Sequence, residues 1–120
     1  MTIAALLQDC SDAIWISERV FVQIFNNLPG GVPLTVHCKS KDDDLGFQEI
    51  PTNGMWEFRF KGNFWGTTLF FCSFKWSDQF HYYDIYVEKR DFYRCRTLCQ
   101  WCVQPTGPCL QKTLRDNWNS

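Results

Sequence analysis

The sequence lacks several features that would point to a particular partner or chemistry. It has no apolar stretch approaching the roughly 20 residues that a membrane-spanning helix needs, which excludes membrane insertion. Its 12 basic and 13 acidic residues leave a formal net charge of -1, and the basic residues are scattered, so nucleic acid is not an expected partner. It contains no glycine-rich phosphate loop, nucleophile elbow or metalloprotease helix motif, and no Asn-x-Ser/Thr acceptor for N-glycosylation.

Cysteine, by contrast, is abundant. Seven cysteines in 120 residues exceed what a cytosolic domain normally carries, and this count favours an oxidising compartment, so we expect a secreted, extracellular protein. The length fits one domain with a real hydrophobic core. We predict an N-terminal segment over residues 1–19, as a leader remnant or a poorly ordered or short helical stretch, followed by one domain over residues 20–120.

Alternation of apolar and polar residues predicts strands almost throughout that domain. The segment RVFVQIFN, for example, places its two valines and its isoleucine on one face, and turn signals such as NLPGG and PTNG follow the strands. About seven or eight short strands predict an all-β fold, a small disulfide-bonded antiparallel β-sandwich. In HYYDIYVEKR the same alternation places Tyr82 and Tyr86 together on a polar face. The only helix candidates are residues 3–14 and a weak one over residues 111–118.

Four longer segments carry a resemblance to a known family. NNLPGGVPLTVHCKSKDDDLG, NFWGTTLFFCSFKW, YYDIYVEKRD and CQWCV resemble, in order, the signatures of the plant self-incompatibility S1 family, the S-protein homologues. The resemblance runs from about residue 20 to residue 110. It implies a small secreted plant protein with a β-sandwich fold and no known catalytic activity. In the poppy members, a ligand secreted by the stigma is recognised by a receptor on the pollen surface.

The resemblance also sorts the cysteines into two sets. The family's usual four match Cys38, Cys72, Cys95 and Cys99. Sequence alone leaves all three ways of pairing these four open. Cys102 and Cys109 depart from the family pattern, and they flank the turn of WCVQPTGPCL as direct cross-strand partners, so a third bridge is geometrically possible. This scheme leaves Cys10 as the odd thiol.

Loops at the ends of the strands are the expected contact regions, because sheets hold loops in place while loops tolerate sequence change. The candidate residues lie in four such loops: Asp42, Asp43, Asp44, Asn53, Asn63, Phe64, Trp65, Asp78 and Gln79. The run of three aspartates does not have EF-hand spacing, and three consecutive carboxylates cannot all face one calcium ion. We therefore interpret it as a solvated turn in which Gly46 adopts a positive φ, serving recognition or architecture.

Two other chemical interpretations are weaker. A zinc cluster built from the C-terminal cysteines lacks the paired C-x-x-C spacing of a structural zinc site. A secreted ribonuclease would need His37 and His81 to act together as acid and base, and nothing in the sequence brings them together. We therefore expect no metal ion, no cofactor and no enzymatic activity.

The leading hypothesis is a secreted, non-enzymatic, monomeric protein that binds a cell-surface protein receptor through its rim loops. It would act in extracellular recognition or cell–cell signalling. The alternative is a secreted structural or stress-related binder, acting as a holdase through exposed aromatic side chains such as Phe64 and Trp65.

Overall fold

The protein consists of two β-sheets that share one core. The computed structural model describes residues 19–62, 66–111 and 114–115. The strands in this part of the chain are β1 (Arg19–Asn26), β2 (Leu34–Lys39), β3 (Asp44–Ile50), β4 (Met55–Lys61), β5 (Leu69–Trp76), β6 (Gln79–Val87), β7 (Leu98–Gln104), β8 (Gly107–Leu110) and the two-residue β9 (Leu114–Arg115). One helical turn, α1 (Glu88–Asp91), lies between β6 and β7. No helix of the described residues is long and apolar enough to cross a membrane.

The strand order is β4-β1-β7-β8-β9 in one sheet and β3-β2-β5-β6 in the other. Neighbouring strands are antiparallel except for β1 and β7, which run parallel. The predicted all-β, mainly antiparallel sandwich is therefore confirmed, with one parallel pair as the difference. This pair is possible because α1 and the residues after it carry the chain from one sheet to the other, whereas a tight hairpin joins only antiparallel strands.

The core lies between the sheets and is rich in aromatic side chains. In β1 the predicted alternation holds, because Val20, Val22 and Ile24 are all buried. At one end of the core, aromatic rings of the two sheets pack against each other. The ring centroids of Phe60 in β4 and Phe70 in β5 are 4.7 Å apart. Such aromatic pairs contribute about 0.5 to 1.5 kcal/mol each beyond their buried area.

The prediction that Tyr86 lies on the polar face of its strand is wrong. The pairing of β5 with β6 shifts between Phe70 and Cys72, so that Phe70 opposes Tyr86 whereas Cys72 opposes Tyr83. The extra residue in β6 is a β-bulge, and a bulge reverses the alternation of every side chain beyond it. Tyr86 is consequently buried, with its ring 4.8 Å from that of Phe60.

The helix predictions also need correction. Residues 88–90, expected at the end of the strand HYYDIYVEKR, lie in α1 instead. The weak helix candidate over residues 111–118 is wrong at Leu114–Arg115, which pairs with β8 as a strand, and most of its other residues lie outside the described part. The candidate over residues 3–14, and with it nearly all of the predicted N-terminal segment, lies outside the described residues.

Three disulfide bonds tie the strands together. Cys38–Cys72 joins the directly opposed positions of β2 and β5, and Cys95–Cys99 closes a short loop that enters β7. Cys102 pairs with Cys109 across the β7–β8 hairpin, in the register that the turn of WCVQPTGPCL predicts. Cys10 lies outside the described residues.

A buried asparagine at the end of β1 forms hydrogen bonds that connect the β1–β2 loop to β3. The Asn26 side chain is fully buried; its Nδ2 donates to the carbonyl oxygens of Val32 and Ile50 at 2.9 and 3.1 Å. Its Oδ1 accepts the Leu28 N–H at 2.9 Å. Every polar atom of this buried amide that needs a partner has one, so the β1–β2 loop is held against the end of β3.

Candidate functional site

The connections between strands fall at two ends of the sandwich. At one end, Lys39 opposes Phe71, Leu69 opposes Val87 and Arg19 opposes Lys61. This register brings together the β2–β3 loop, the β4–β5 loop and the β6–β7 connection, and we name this region the acidic end. The β1–β2, β3–β4, β5–β6 and β7–β8 connections lie at the opposite end.

The predicted contact residues therefore do not form one site. Asp42, Asp43 and Asp44 lie at the acidic end. The opposite end carries three of the others: Asn53, Asp78 and Gln79. The remaining candidates, Asn63, Phe64 and Trp65, lie outside the described residues. Asn53 has a structural reason to be where it is, because it turns the chain at φ 61° and its N–H donates to the Asn26 carbonyl at 3.2 Å.

The acidic loop is a tight, hydrogen-bonded turn. The Ser40 N–H donates to the Asp43 carbonyl at 2.8 Å, and the Asp43 N–H donates to the Ser40 hydroxyl at 3.1 Å. All of residues 41–44 are exposed. The backbone thus fixes the turn while the side chains of Asp42 and Asp43 remain open to solvent, and to a partner.

Asp44 differs from the other two aspartates because its carboxylate is used within the fold. Its Oδ1 accepts the Gly46 N–H at 2.9 Å and lies 2.7 Å from Nε2 of His37. Gly46 has φ 77°, as the turn interpretation predicts. These two hydrogen bonds, the Gly46 amide first, lower the pKa of Asp44 below its ordinary 3.8. Among the residues described, no three His, Cys, Asp or Glu side chains converge as a metal site would require.

A cleft of about 600 Å³ runs between the acidic loop and the neighbouring ends of β4 and β5. One wall is the loop itself, residues 40–43. The other wall combines the exposed Leu69 and Phe71 with the hydroxyl-bearing segment of residues 67–68, and Lys61 lies at its edge. An apolar floor under a charged rim is the usual composition of a surface that binds another protein.

The second wall of the cleft is anchored by Glu88. Its carboxylate accepts the Thr68 N–H at 3.3 Å, and its own N–H donates to the Thr68 carbonyl at 3.0 Å. A Cβ atom on Gly62 would stand only 3.2 Å from the Glu88 carboxylate, so glycine permits this close approach. Sequence reasoning missed Glu88, because the contact spans 20 residues and no local pattern signals it.

The β6–β7 connection is held from inside by a buried carboxylate. Asp91 is fully buried, and its side chain accepts the Val87 N–H at 2.9 Å and two bonds from Arg90 at 2.8 and 2.6 Å. Its backbone carbonyl accepts the N–H groups of residues 94, 95 and 96. The Arg90 guanidinium also lies over the rings of Tyr83 and Trp101, at 5.3 and 5.6 Å. The connection is therefore held by many contacts, and its acid–base pairs stabilise the fold.

The two histidines lie on opposite faces of the four-stranded sheet. His37 opposes Ser73, which in turn opposes the exposed Tyr82, so His37 belongs to the outer face. His81 opposes the buried Phe74 and belongs to the inner face. Directly opposed residues of an antiparallel pair share a face. The sheet therefore separates the two imidazoles, so they cannot act together as acid and base.

Comparison with known proteins identifies the family of this chain. The sequence profile of the plant self-incompatibility protein S1 family matches residues 21–120. The chain belongs to this family. The resemblance carried by the four sequence segments is thus confirmed.

Relatives in the S1 family occur in Arabidopsis thaliana. S-protein homolog 5 is 50% identical over 91 residues, which cover 76% of this chain and 70% of that protein. S-protein homolog 19 is 44% identical over 93 residues, with coverages of 78% and 70%. Like its relatives, the chain falls in a family that is not a known class of enzyme.

A solved structure shares the fold of this S1-family chain. It is that of a self-incompatibility protein homologue, described as one of a widespread family of small, highly stable, secreted proteins from plants. The TM-score is 0.63 and the identity 18%, with 87% of this chain and 97% of that chain covered. At this identity the likeness concerns the fold alone.

Proposed function

We propose that this S1-family protein is a secreted, non-enzymatic ligand that is recognised by a protein receptor on a cell surface, and that the cleft at the acidic end is its contact surface. Secretion is supported by the three disulfides, which persist in oxidising compartments, and by the description of the structural relative. The protein acts as a monomer, without metal ion or cofactor.

The cleft is the observation that carries this proposal. It joins a charged rim, where Asp42 and Asp43 remain open, to an apolar floor whose accessible side chains are Leu69 and Phe71. The rim gives steering and specificity, whereas the floor supplies the buried area from which affinity comes. The scaffold beneath it is stiff, since the Cys38–Cys72 bridge lies at the base of the acidic loop. A stiff loop loses little conformational entropy on binding.

The holdase hypothesis is the second candidate, and the outer face of the four-stranded sheet favours it. The outer face of the four-stranded sheet exposes four large aromatic side chains: Phe47 is 72% accessible, Phe71 38%, Phe80 51% and Tyr82 52%. Such a surface would offer apolar contact to unfolded chains without selecting among them.

Two measurements made on the same preparation separate the candidates. Labelled protein is titrated onto plasma-membrane vesicles from plant tissue, and the unlabelled protein is added as competitor. In parallel, the protein is mixed with an unrelated heat-aggregating client, and light scattering is followed. A receptor ligand gives saturable, competable binding and leaves aggregation of the client unchanged.

The opposite pattern contradicts the proposal. Linear, non-competable vesicle binding together with suppressed aggregation at near-equimolar protein identifies a holdase. A double variant of the outer face, Phe80→Ser with Tyr82→Ser, serves as the internal control. It abolishes holdase action if that face is responsible, and it leaves saturable binding intact if the cleft is.

A further inference from the structure

A second cavity lies at the acidic end, beneath the β6–β7 connection. Its volume is about 420 Å³, it is partly open to solvent, and it is lined by residues 93–98, by Gln100 in β7 and by the end of β8. Among the described residues that line it, Arg94 and Arg96 carry charge and none is acidic. A concave site with cationic groups and no anion among these lining residues is a candidate site for a negatively charged ligand.

The C-terminal quarter of the chain carries a net positive charge, as do the two arginines that line the cavity. After Asp91 the sequence contains four basic residues, Arg94, Arg96, Lys112 and Arg115, and one acidic residue, Asp116. The whole protein is nearly neutral, with a formal net charge of -1, so positive charge is concentrated in this part of the sequence. The acidic loop at the same end carries the opposite sign.

The wall that bears the two arginines is held in place before any ligand arrives. The Cys95–Cys99 disulfide closes it, and the Leu98 N–H donates to the Cys95 carbonyl at 3.0 Å. The Thr97 carbonyl accepts the N–H of Phe21 from β1 at 2.8 Å, which ties the segment to the sheet. A wall fixed in this way loses little entropy when it binds a ligand.

Both guanidinium groups are positioned on aromatic rings. The Arg94 side chain, 18% accessible, lies 5.7 Å from the Trp101 ring centroid and 3.2 Å from Oδ1 of Asp91. Arg96 is exposed and lies 5.6 Å from the Phe92 ring centroid. Its backbone has φ 50°, a value that is uncommon for a residue other than glycine.

We propose that this cavity binds a carboxylate group of an acidic peptide segment, with Arg96 as the principal contact and Arg94 as a second positive charge behind it. A planar guanidinium matches a carboxylate through two parallel hydrogen bonds. The rim supports a peptide rather than a small free anion, because Tyr93 and Leu98 expose apolar surface there, at 84% and 47% accessibility. That the segment belongs to a partner protein rests on the proposed function; the carboxylate site itself does not.

The test uses a blocked peptide probe that contains four aspartates and one phenylalanine. A peptide with four asparagines in their place is the control ligand. Binding is followed by fluorescence anisotropy of the labelled peptide and by the NMR signals of the arginine Nε–H groups. We expect saturable binding of the aspartate peptide only, weakening as salt is raised. The Arg96 Nε–H signal should move most.

Variants locate the site. Arg96→Gln should weaken binding about tenfold or more, as expected for loss of a charge-assisted pair, and Arg96→Lys should weaken it less. Arg59→Gln is the matched control, since Arg59 is an exposed arginine on β4 that also lies over a ring, that of Phe21. It changes the net charge equally and should leave the affinity unchanged.

Three results would overturn the proposal. These are absence of saturable binding, equal binding of the asparagine peptide, and equal loss in the two glutamine variants. A fourth outcome reassigns the occupant: if the protein self-associates in sedimentation and Asp42→Asn with Asp43→Asn abolishes this, a second copy supplies the carboxylates and the partner assignment is wrong. If the peptide fails to bind while vesicle binding stays saturable, only this site is lost and the receptor function stands.

Discussion

Removing the Cys102–Cys109 bridge should cost clearly less stability than removing Cys38–Cys72. A disulfide stabilises mainly by restricting the unfolded chain, and the effect grows with the logarithm of the loop it closes. The two bridges span 7 and 34 residues. The loop-closure relation then gives about 2.4 kcal/mol for the short bridge and about 3.8 kcal/mol for the long one at 25 °C.

The measurement is equilibrium unfolding in urea of two double variants, Cys102→Ala with Cys109→Ala and Cys38→Ala with Cys72→Ala. Truncation also removes packed atoms. Cys38, Cys72 and Cys102 are buried whereas Cys109 is only partly buried, so this cost is larger for the long bridge and adds to the difference in the same direction. Intrinsic tryptophan fluorescence, to which the buried Trp76 and Trp101 contribute, reports the transition. The reasoning is refuted if loss of the short bridge lowers the free energy of unfolding as much as loss of the long one.

Three further predictions concern charged and ionisable groups. Asp91→Ala should lower the free energy of unfolding by about 3 to 5 kcal/mol in urea titration, because it leaves two guanidinium groups facing an uncharged interior. The Gly46 amide and His37 lower the pKa of Asp44 in the folded protein. The ionised carboxylate therefore stabilises the fold above the unfolded pKa of Asp44, and this contribution is lost as pH falls through the folded pKa. Asp44→Asn should reduce the loss of stability with falling pH below pH 4, measured as the free energy of unfolding. Burial, helped by two nearby carboxylates, raises the pKa of Tyr86, so stability should fall as pH rises above 10, and Tyr86→Phe should reduce that slope.

The sheets could be predicted from sequence wherever each strand keeps one face inward along its whole length. The first strand does so, and its burial follows the alternation residue by residue. The prediction failed in β6, because one inserted residue reverses the faces beyond it and a bulge has no signature of its own in the sequence. It failed again at α1, where a single helical turn is held by the side chain of Asp91. The parallel pairing of β1 with β7 depends on that same crossover.

The candidate site was predictable only in part. The acidic tip and the positive φ of Gly46 follow from local turn chemistry, and the opposition of Cys102 and Cys109 follows from the centre of a hairpin. The facing wall of the cleft could not be predicted, because it depends on which loops the two sheets bring to the same end. The division of the predicted contact residues between opposite ends has the same cause.

The central claim is that the acidic end of the sandwich is what a cell-surface receptor recognises. The most direct test compares two doubly substituted proteins in saturable binding to plant plasma-membrane vesicles. Asp42→Asn with Asp43→Asn removes two exposed charges at the cleft, and Glu49→Gln with Asp78→Asn removes two exposed charges elsewhere. The account predicts that the first protein binds about tenfold more weakly and that the second binds as the unchanged protein does. Equal affinity of the two variants would contradict it.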